Sequence, residues 1–328
     1  MRATTRFLIA VSQLTVAALG AQPAATGGAV GFRIIRPSTP ATVIAMWYPA
    51  ERSSRAEAMT IEDYLTAEIP ADRLASVRAD FLDGIARSYA SARGLPTGPK
   101  VPYLPDSVAS ALMTLRTNVV RDATPLPGRH PVLLFIMPMG STGAANGHFI
   151  AQEIASHGYV VVSGPPVNVP RGTSMEELMR QVRSTAEALY DAVVRLPNVD
   201  PAQLVALDPT GSTALLMEAE RKRWHAVIVF DEVPFEPQAR DALTRAAGSI
   251  ATSLLYFPLD DPAPNDEVFN RLTRVRRTDA VIPGAQHGLL SSYGAHFRRG
   301  LGDVPREYDA AMAKIVEFLR AVRQREGG

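Results

Sequence analysis

Short apolar segments alternate with amphipathic segments along most of this chain. The apolar segments have the length and composition of strands that are buried on both faces of a sheet. They occupy residues 130–138, 159–164, 203–208, 225–231 and 252–259, and a shorter one, the last predicted strand, occupies residues 279–283. Between them, apolar residues recur at helical spacing, and one such segment begins with Ser174 and Glu177 in the pattern of a capping box. Because parallel strands need crossover helices, the pattern predicts an α/β fold with a mostly parallel sheet of about eight strands, flanked by helices.

The amino-terminal 21 residues have the pattern of a secretory signal peptide. Arg2 and Arg6 precede an apolar run, and the run ends in small residues such as Gly20 and Ala21. A cationic start, a short apolar run and a small-residue cleavage site are the three parts of such a peptide. The run is shorter than the roughly 20 apolar residues that span a bilayer. We expect cleavage near residues 20–22 and a secreted or periplasmic protein without an integral membrane span in its mature chain; the alternative is an uncleaved membrane anchor.

Composition excludes several classes of partner and site. The 328 residues include 34 Lys and Arg and 33 Asp and Glu, so the net charge is only +1. No basic excess is available to neutralise phosphates, and no nucleic-acid partner is expected. The absence of cysteine excludes disulfides, thiol nucleophiles and thiolate zinc sites. No histidine pair has the spacing of a metal motif, so no metal and no cofactor are expected.

Residues 51–125 differ from the rest of the chain. They mix charged residues with apolar residues at helical spacing, and they include loop-like stretches such as residues 95–106. We expect a helical insertion, or cap, placed before the core of a single domain that spans residues 22–328.

Chemically active residues follow the predicted strands at their carboxyl ends. Met139 and Gly140 follow the first buried strand, Thr210 follows the third, Asp231 ends the fourth, and His287 follows the last. The carboxyl ends of parallel strands lie at one edge of a sheet, where such folds place their chemistry. A turn residue, then a carboxylate, then a histidine is the chain order of nucleophile, acid and base in α/β-hydrolases.

Several segments resemble secreted α/β-hydrolases related to platelet-activating-factor acetylhydrolase and dienelactone hydrolase. HPVLLFIMPMGSTG, followed by EIASHGYVVVSGPP, is similar to the core of these enzymes, and MWYP to the motif that opens many of them. NVDPAQLVALDPTGSTALL is similar to their strand–elbow–helix segment, and VIPGAQHGLL to their segment with the catalytic histidine. The resemblance covers about residues 40–50 and 128–325.

This resemblance implies an α/β-hydrolase fold and specific roles for the residues at the strand ends. Asp231 would be the catalytic acid and His287 the base. Asp260 is a second candidate for the acid, because many α/β-hydrolases place the acid after a later strand. Backbone N–H groups of Met139 or Gly140, together with that of Gly211, would form the oxyanion hole.

The nucleophile elbow departs from the pattern, since no G-x-S-x-G occurs in the chain. Counting forward from Val199 places the nucleophile at Thr210, and counting back from Leu216 places it at Asp208. Ser212 is a further candidate, although its position favours a role as the cap of the following helix. Pro209, which lies between the two counts, has no nucleophilic atom. The last alternative is that no residue here attacks a substrate.

Two functions remain compatible with the sequence. The first is an exported carboxylic ester or lactone hydrolase of low or altered activity, acting on a small-molecule or lipid-like ester. In it, Asp231 orients His287, and His287 activates Thr210 or a water molecule. The second is a catalytically inactive pseudo-hydrolase that binds a small molecule or a partner. The oligomeric state is not predicted.

Overall fold

The structure is a computed structural model, which describes residues 28–36, 43–52, 57–92, 106–136, 143–165, 172–221, 223–230, 237–258, 266–283 and 306–324. Its strands are β1 (Ala29–Ile35), β2 (Ile44–Ala50), β3 (Ala58–Thr60), β4 (Arg116–Arg121), β5 (His130–Phe135), β6 (Val160–Ser163), β7 (Val199–Leu207), β8 (Ala226–Val229), β9 (Ser253–Tyr256) and β10 (Arg276–Asp279). Its helices are α1 (Ile61–Glu68), α2 (Ala71–Ala92), α3 (Asp106–Met113), α4 (Ala144–Ser156), α5 (Met175–Val193), α6 (Ser212–Arg221), α7 (Pro237–Ala246), α8 (Asp266–Arg271) and α9 (Arg306–Gln324). The predicted signal peptide lies outside the described residues.

The described strands form one sheet in the order β10-β9-β8-β7-β5-β6-β2-β1-β4-β3. Neighbouring strands from β6 to β10 are parallel, and β1 is parallel to β4. Three pairs are antiparallel: β1 with β2, β2 with β6, and β3 with β4. The mostly parallel sheet flanked by helices is therefore confirmed.

The central strands are buried because helices cover both faces of the sheet. Every residue of β6, β8 and β9 is buried. Successive side chains of a strand point to opposite faces, and in β5 Leu133 belongs to one hydrophobic core whereas Leu134 belongs to the other. The first core includes residues of α1, α2, α4 and α9, and the second includes residues of α5 to α8.

Residues 51–125, which we expected to form a helical insertion, contain strands as well as helices. This segment contains α1, α2 and α3, but it also contributes β3 and β4 to the sheet. In β4, Thr117 and Val119 are buried while their neighbours Arg116 and Asn118 are exposed. This alternation with a period of two indicates a strand with one buried face, and it is short enough to escape notice in a charged segment.

The sheet has ten described strands rather than about eight, and the last of these described strands lies earlier in the chain than expected. We predicted the last strand at residues 279–283, but β10 occupies Arg276–Asp279. This edge strand contains no apolar residue and only one of its four residues is not exposed. Because β10 has no apolar residue, an apolar pattern could not locate it. Charged residues on an edge strand also resist pairing with other molecules.

Candidate active site

The turn between β7 and α6 contains the nucleophile candidates. Strand β7 ends at Leu207, and α6 begins at Ser212. The backbone N–H of Asp208 donates to the Ile228 carbonyl of β8 at 2.9 Å, and the N–H of Gly211 donates to the Asp208 carbonyl at 3.1 Å. These bonds form a sharp strand-to-helix turn at the carboxyl end of a central parallel strand, where we expected it.

Asp208 is the buried organiser of this turn. Its Oδ2 accepts a hydrogen bond from the backbone N–H of Ala214 at 2.8 Å, and its Oδ1 accepts one from that of Thr210 at 3.1 Å. Only 2% of the residue is exposed, and burial raises the pKa of its carboxyl while the hydrogen bonds oppose that rise. A carboxylate that accepts N–H groups from the first turn of a helix stabilises that helix end. Its oxygens are thus engaged in holding α6.

The Thr210 hydroxyl lies at the half-buried tip of the turn. It donates to Asp208 Oδ1 at 3.2 Å or shares a hydrogen bond of 2.9 Å with the Ser212 hydroxyl, where either oxygen can be the donor. The backbone N–H of Ser212 donates back to Thr210 Oγ1 at 3.3 Å. The three nucleophile candidates of the turn, Asp208, Thr210 and Ser212, are therefore joined in one hydrogen-bonded group, and Thr210 is the least buried of them.

Gly211 has the left-handed backbone of the turn, with φ 77°. A β-carbon at this position would lie 2.7 Å from Cγ2 of Val229 at the end of β8, which is too close for any side chain without movement of its neighbours. A nucleophile elbow places its nucleophile on a strained turn. Here the left-handed conformation is at the glycine that follows Thr210, and no side chain is present there.

The oxyanion role expected for Gly211 is constrained by the same turn. Its N–H already donates to the Asp208 carbonyl at 3.1 Å, so it would have to leave or share that bond to stabilise a substrate oxyanion. Ser212 is 2% exposed and is the first residue of α6. Its hydroxyl pairs with the Thr210 hydroxyl.

The remaining predicted site residues lie outside the described residues. These are Met139, Gly140, Asp231, Asp260 and His287. The described chain comes close to each in sequence, and the buried Ile136, Phe230 and Phe257 follow β5, β8 and β9. Their roles as oxyanion donors, acid, back-up acid and base stay predictions.

A buried polar group at the start of α4 was missed by the sequence analysis. Glu68, the last residue of α1, accepts a hydrogen bond through Oε2 from the backbone N–H of Ala144, the first residue of α4, at 2.6 Å. Burial raises the pKa of Glu68 to about 7, opposed by the Ala144 N–H and by the charge of Arg36. The available signal was the capping box of Thr60 and Asp63 that begins α1, but it does not indicate which face of the helix is buried.

Within the described part of the chain, no cluster of three or more histidine and carboxylate side chains is arranged to hold a metal ion. In the same ranges, none of the helices combines the length and the apolar character needed to cross a membrane.

Comparisons with known proteins give a fold. No protein-family model and no curated protein matches the chain. A ferulic acid esterase from Streptomyces cinnamoneus superposes on 93% of this chain and 92% of its own, with a TM-score of 0.54 and 15% identity. An esterase from Pyrobaculum calidifontis covers 61% of this chain and 77% of its own at 16% identity and a TM-score of 0.44. A sugar hydrolase from Lactococcus lactis covers 62% and 92% at 13% identity and a TM-score of 0.46.

The first of these similarities extends over nearly the whole of both chains and, together with the strand order described above, establishes the α/β-hydrolase fold. The predicted fold class is thereby confirmed.

Proposed function

We propose that this chain is an exported hydrolase of carboxylic esters or lactones, of low or altered activity, in which Thr210 is the nucleophile. The observation that supports this best is the half-buried Thr210 hydroxyl at the strand-to-helix turn, hydrogen-bonded to Asp208 and Ser212. The α/β-hydrolase fold adds support, because it locates chemistry at this edge of the sheet. A small-molecule or lipid-like ester is the proposed substrate.

In the proposed mechanism, His287 removes the proton from the Thr210 hydroxyl while Oγ1 attacks the ester carbonyl. Asp231 orients the imidazole and stabilises its charged form. The tetrahedral intermediate collapses when the leaving alcohol takes the proton from His287, and water then hydrolyses the threonyl ester by the same steps in reverse. Backbone N–H groups of Met139 or Gly140 stabilise the oxyanion. A secondary hydroxyl beside a glycine whose N–H is already engaged is consistent with a slow reaction.

Rates of p-nitrophenyl acetate and butyrate hydrolysis by the mature protein test this proposal. We expect turnover above the buffer rate, and we expect Thr210→Val and His287→Ala each to reduce kcat at least about a hundredfold, because each removes a group that acts in the transition state. The matched control is Thr213→Val on the first turn of α6, which makes the same substitution at a neighbouring buried threonine. Wild-type activity at the buffer background, or activity that survives both variants, would refute the proposal.

The second candidate is an inactive pseudo-hydrolase that binds a small molecule or a partner, and Gly211 is the observation that favours it. The left-handed residue of the turn has no side chain, and Val229 leaves no room for one. If this candidate is correct, the same assay gives only the background rate, while the protein remains folded.

A further inference from the structure

Glu68 is a carboxylate that the helical insertion places against the core of the molecule. Only 7% of the residue is exposed, and Oε2 accepts the 2.6 Å hydrogen bond from the Ala144 N–H. Among the described residues, its other oxygen, Oε1, is buried and has no hydrogen-bond partner. Burying a carboxyl in this way is unfavourable, so its position calls for an explanation beyond packing.

The amino-terminal end of α4 is shaped to receive this carboxylate. Gly143, the residue before the helix, has φ 64° and no side-chain cap of its own. A β-carbon at Gly143 would overlap the Glu68 carboxylate, so glycine both permits the backbone conformation and leaves the space. Glu68 therefore performs from another element the capping role that a side chain at the start of a helix usually performs.

The contact between α1 and α4 continues for at least one turn beyond the carboxylate. The Tyr64 ring lies 5.1 Å from the His148 ring, centroid to centroid. Tyr64 precedes Glu68 by one turn, and His148 follows Ala144 by one turn, so the two helices run in opposite directions along this seam. The seam fixes α1 to the helix that the chain enters after β5.

We propose that Glu68 is a positioning residue for the proposed reaction, holding the Gly143–Ala144 backbone through which the chain leaves the carboxyl end of β5. The inference rests on the proposed function, in which Met139 and Gly140, a few residues earlier in the chain, supply oxyanion donors. Oxyanion stabilisation depends on backbone N–H groups that are fixed before the reaction starts. A hydrogen bond that fixes the backbone at Gly143–Ala144, just after these donors in the chain, therefore raises kcat. In this way the helical insertion contributes to the reaction through Glu68.

The test measures kcat and KM for p-nitrophenyl butyrate in wild type, Glu68→Ala and Glu68→Gln. We expect Glu68→Ala to lower kcat at least about tenfold with KM within about twofold of wild type, as expected when only transition-state stabilisation is lost. We expect Glu68→Gln to retain most of the activity, because its side-chain carbonyl can still accept from the Ala144 N–H. Amide hydrogen exchange at Ala144 should accelerate in Glu68→Ala and not in Glu68→Gln.

Glu62→Ala is the matched control, since Glu62 is on the first turn of the same helix and pairs with Arg78 of α2 at 3.4 Å. We expect wild-type kinetics from it. A wild-type kcat in folded Glu68→Ala would overturn this inference alone, and so would an equal loss in Glu68→Gln. If Glu68→Ala does not fold, Glu68→Asp replaces it, because its shorter side chain draws the carboxylate away from Ala144. Wild-type protein without esterase activity would overturn the proposed function and this inference together.

Discussion

At the scale of single residues, the turn after β7 is organised by a carboxylate and a glycine. Asp208 accepts the N–H groups of Thr210 and Ala214, and so determines where α6 begins. Gly211 supplies the left-handed conformation that lets the chain reverse direction between strand and helix. Together they place the Thr210 hydroxyl at the tip of the turn, and this position is the basis of its proposed role.

The tightness of this turn predicts the effect of Gly211→Ala. We expect it to reduce the free energy of unfolding by about 2–5 kcal/mol, since it adds left-handed strain and an overlap with Val229. Gly158→Ala is the control, because Gly158 also has a positive φ, 92°, but a β-carbon there would meet no atom within 4 Å. The free energy of unfolding of Gly158→Ala should fall by about 1–2 kcal/mol, because left-handed strain alone destabilises it. Urea unfolding of both variants measures the difference, and equal losses would show that Val229 does not crowd the turn.

At the scale of elements, the seam between α1 and α4 joins the insertion to the core. One polar contact across it is made by the buried carboxyl of Glu68, and burial raises the pKa of this carboxyl to about 7 from an ordinary value of 4.5. Between these two pH values the folded protein binds a proton at Glu68 that the unfolded chain does not. The contribution of Glu68 to stability is therefore greatest below its unfolded pKa and falls as the pH rises through the folded pKa.

This linkage predicts a pH-dependent effect of Glu68→Gln, which cannot ionise. The free energy of unfolding of the variant minus that of wild type should therefore increase by about 2–3 kcal/mol from pH 5 to pH 8, because only wild type loses stability at Glu68 over this range. Arg36, Tyr64 and His148, which act on or lie near this seam, are present in both proteins, so their own titration largely cancels in the difference. Urea unfolding at the two pH values measures the gain. A difference that does not change with pH would mean that Glu68 titrates normally.

At the scale of the whole molecule, the sequence predicted the α/β fold because the central strands are continuous apolar runs. It did not predict β1, β3 or β4, which are only partly buried, nor β10, which is polar throughout. The burial of Glu68 depends on how α1 packs on α4, and periodicity within one helix does not contain that information. The two counts across the turn use sequence spacing alone, which carries no information on backbone conformation, so they could not show that its left-handed residue is Gly211.

The central claim of this account is that the Thr210 hydroxyl attacks the substrate. The most direct test treats the mature protein with diethyl p-nitrophenyl phosphate, which transfers a diethylphosphoryl group to a reactive hydroxyl oxygen and releases p-nitrophenolate. Peptide mass spectrometry then locates the group. We predict a single modification on Thr210 in wild type, and none in Thr210→Val or His287→Ala. An unmodified protein, or modification of Ser212 with Thr210 untouched, would contradict the account.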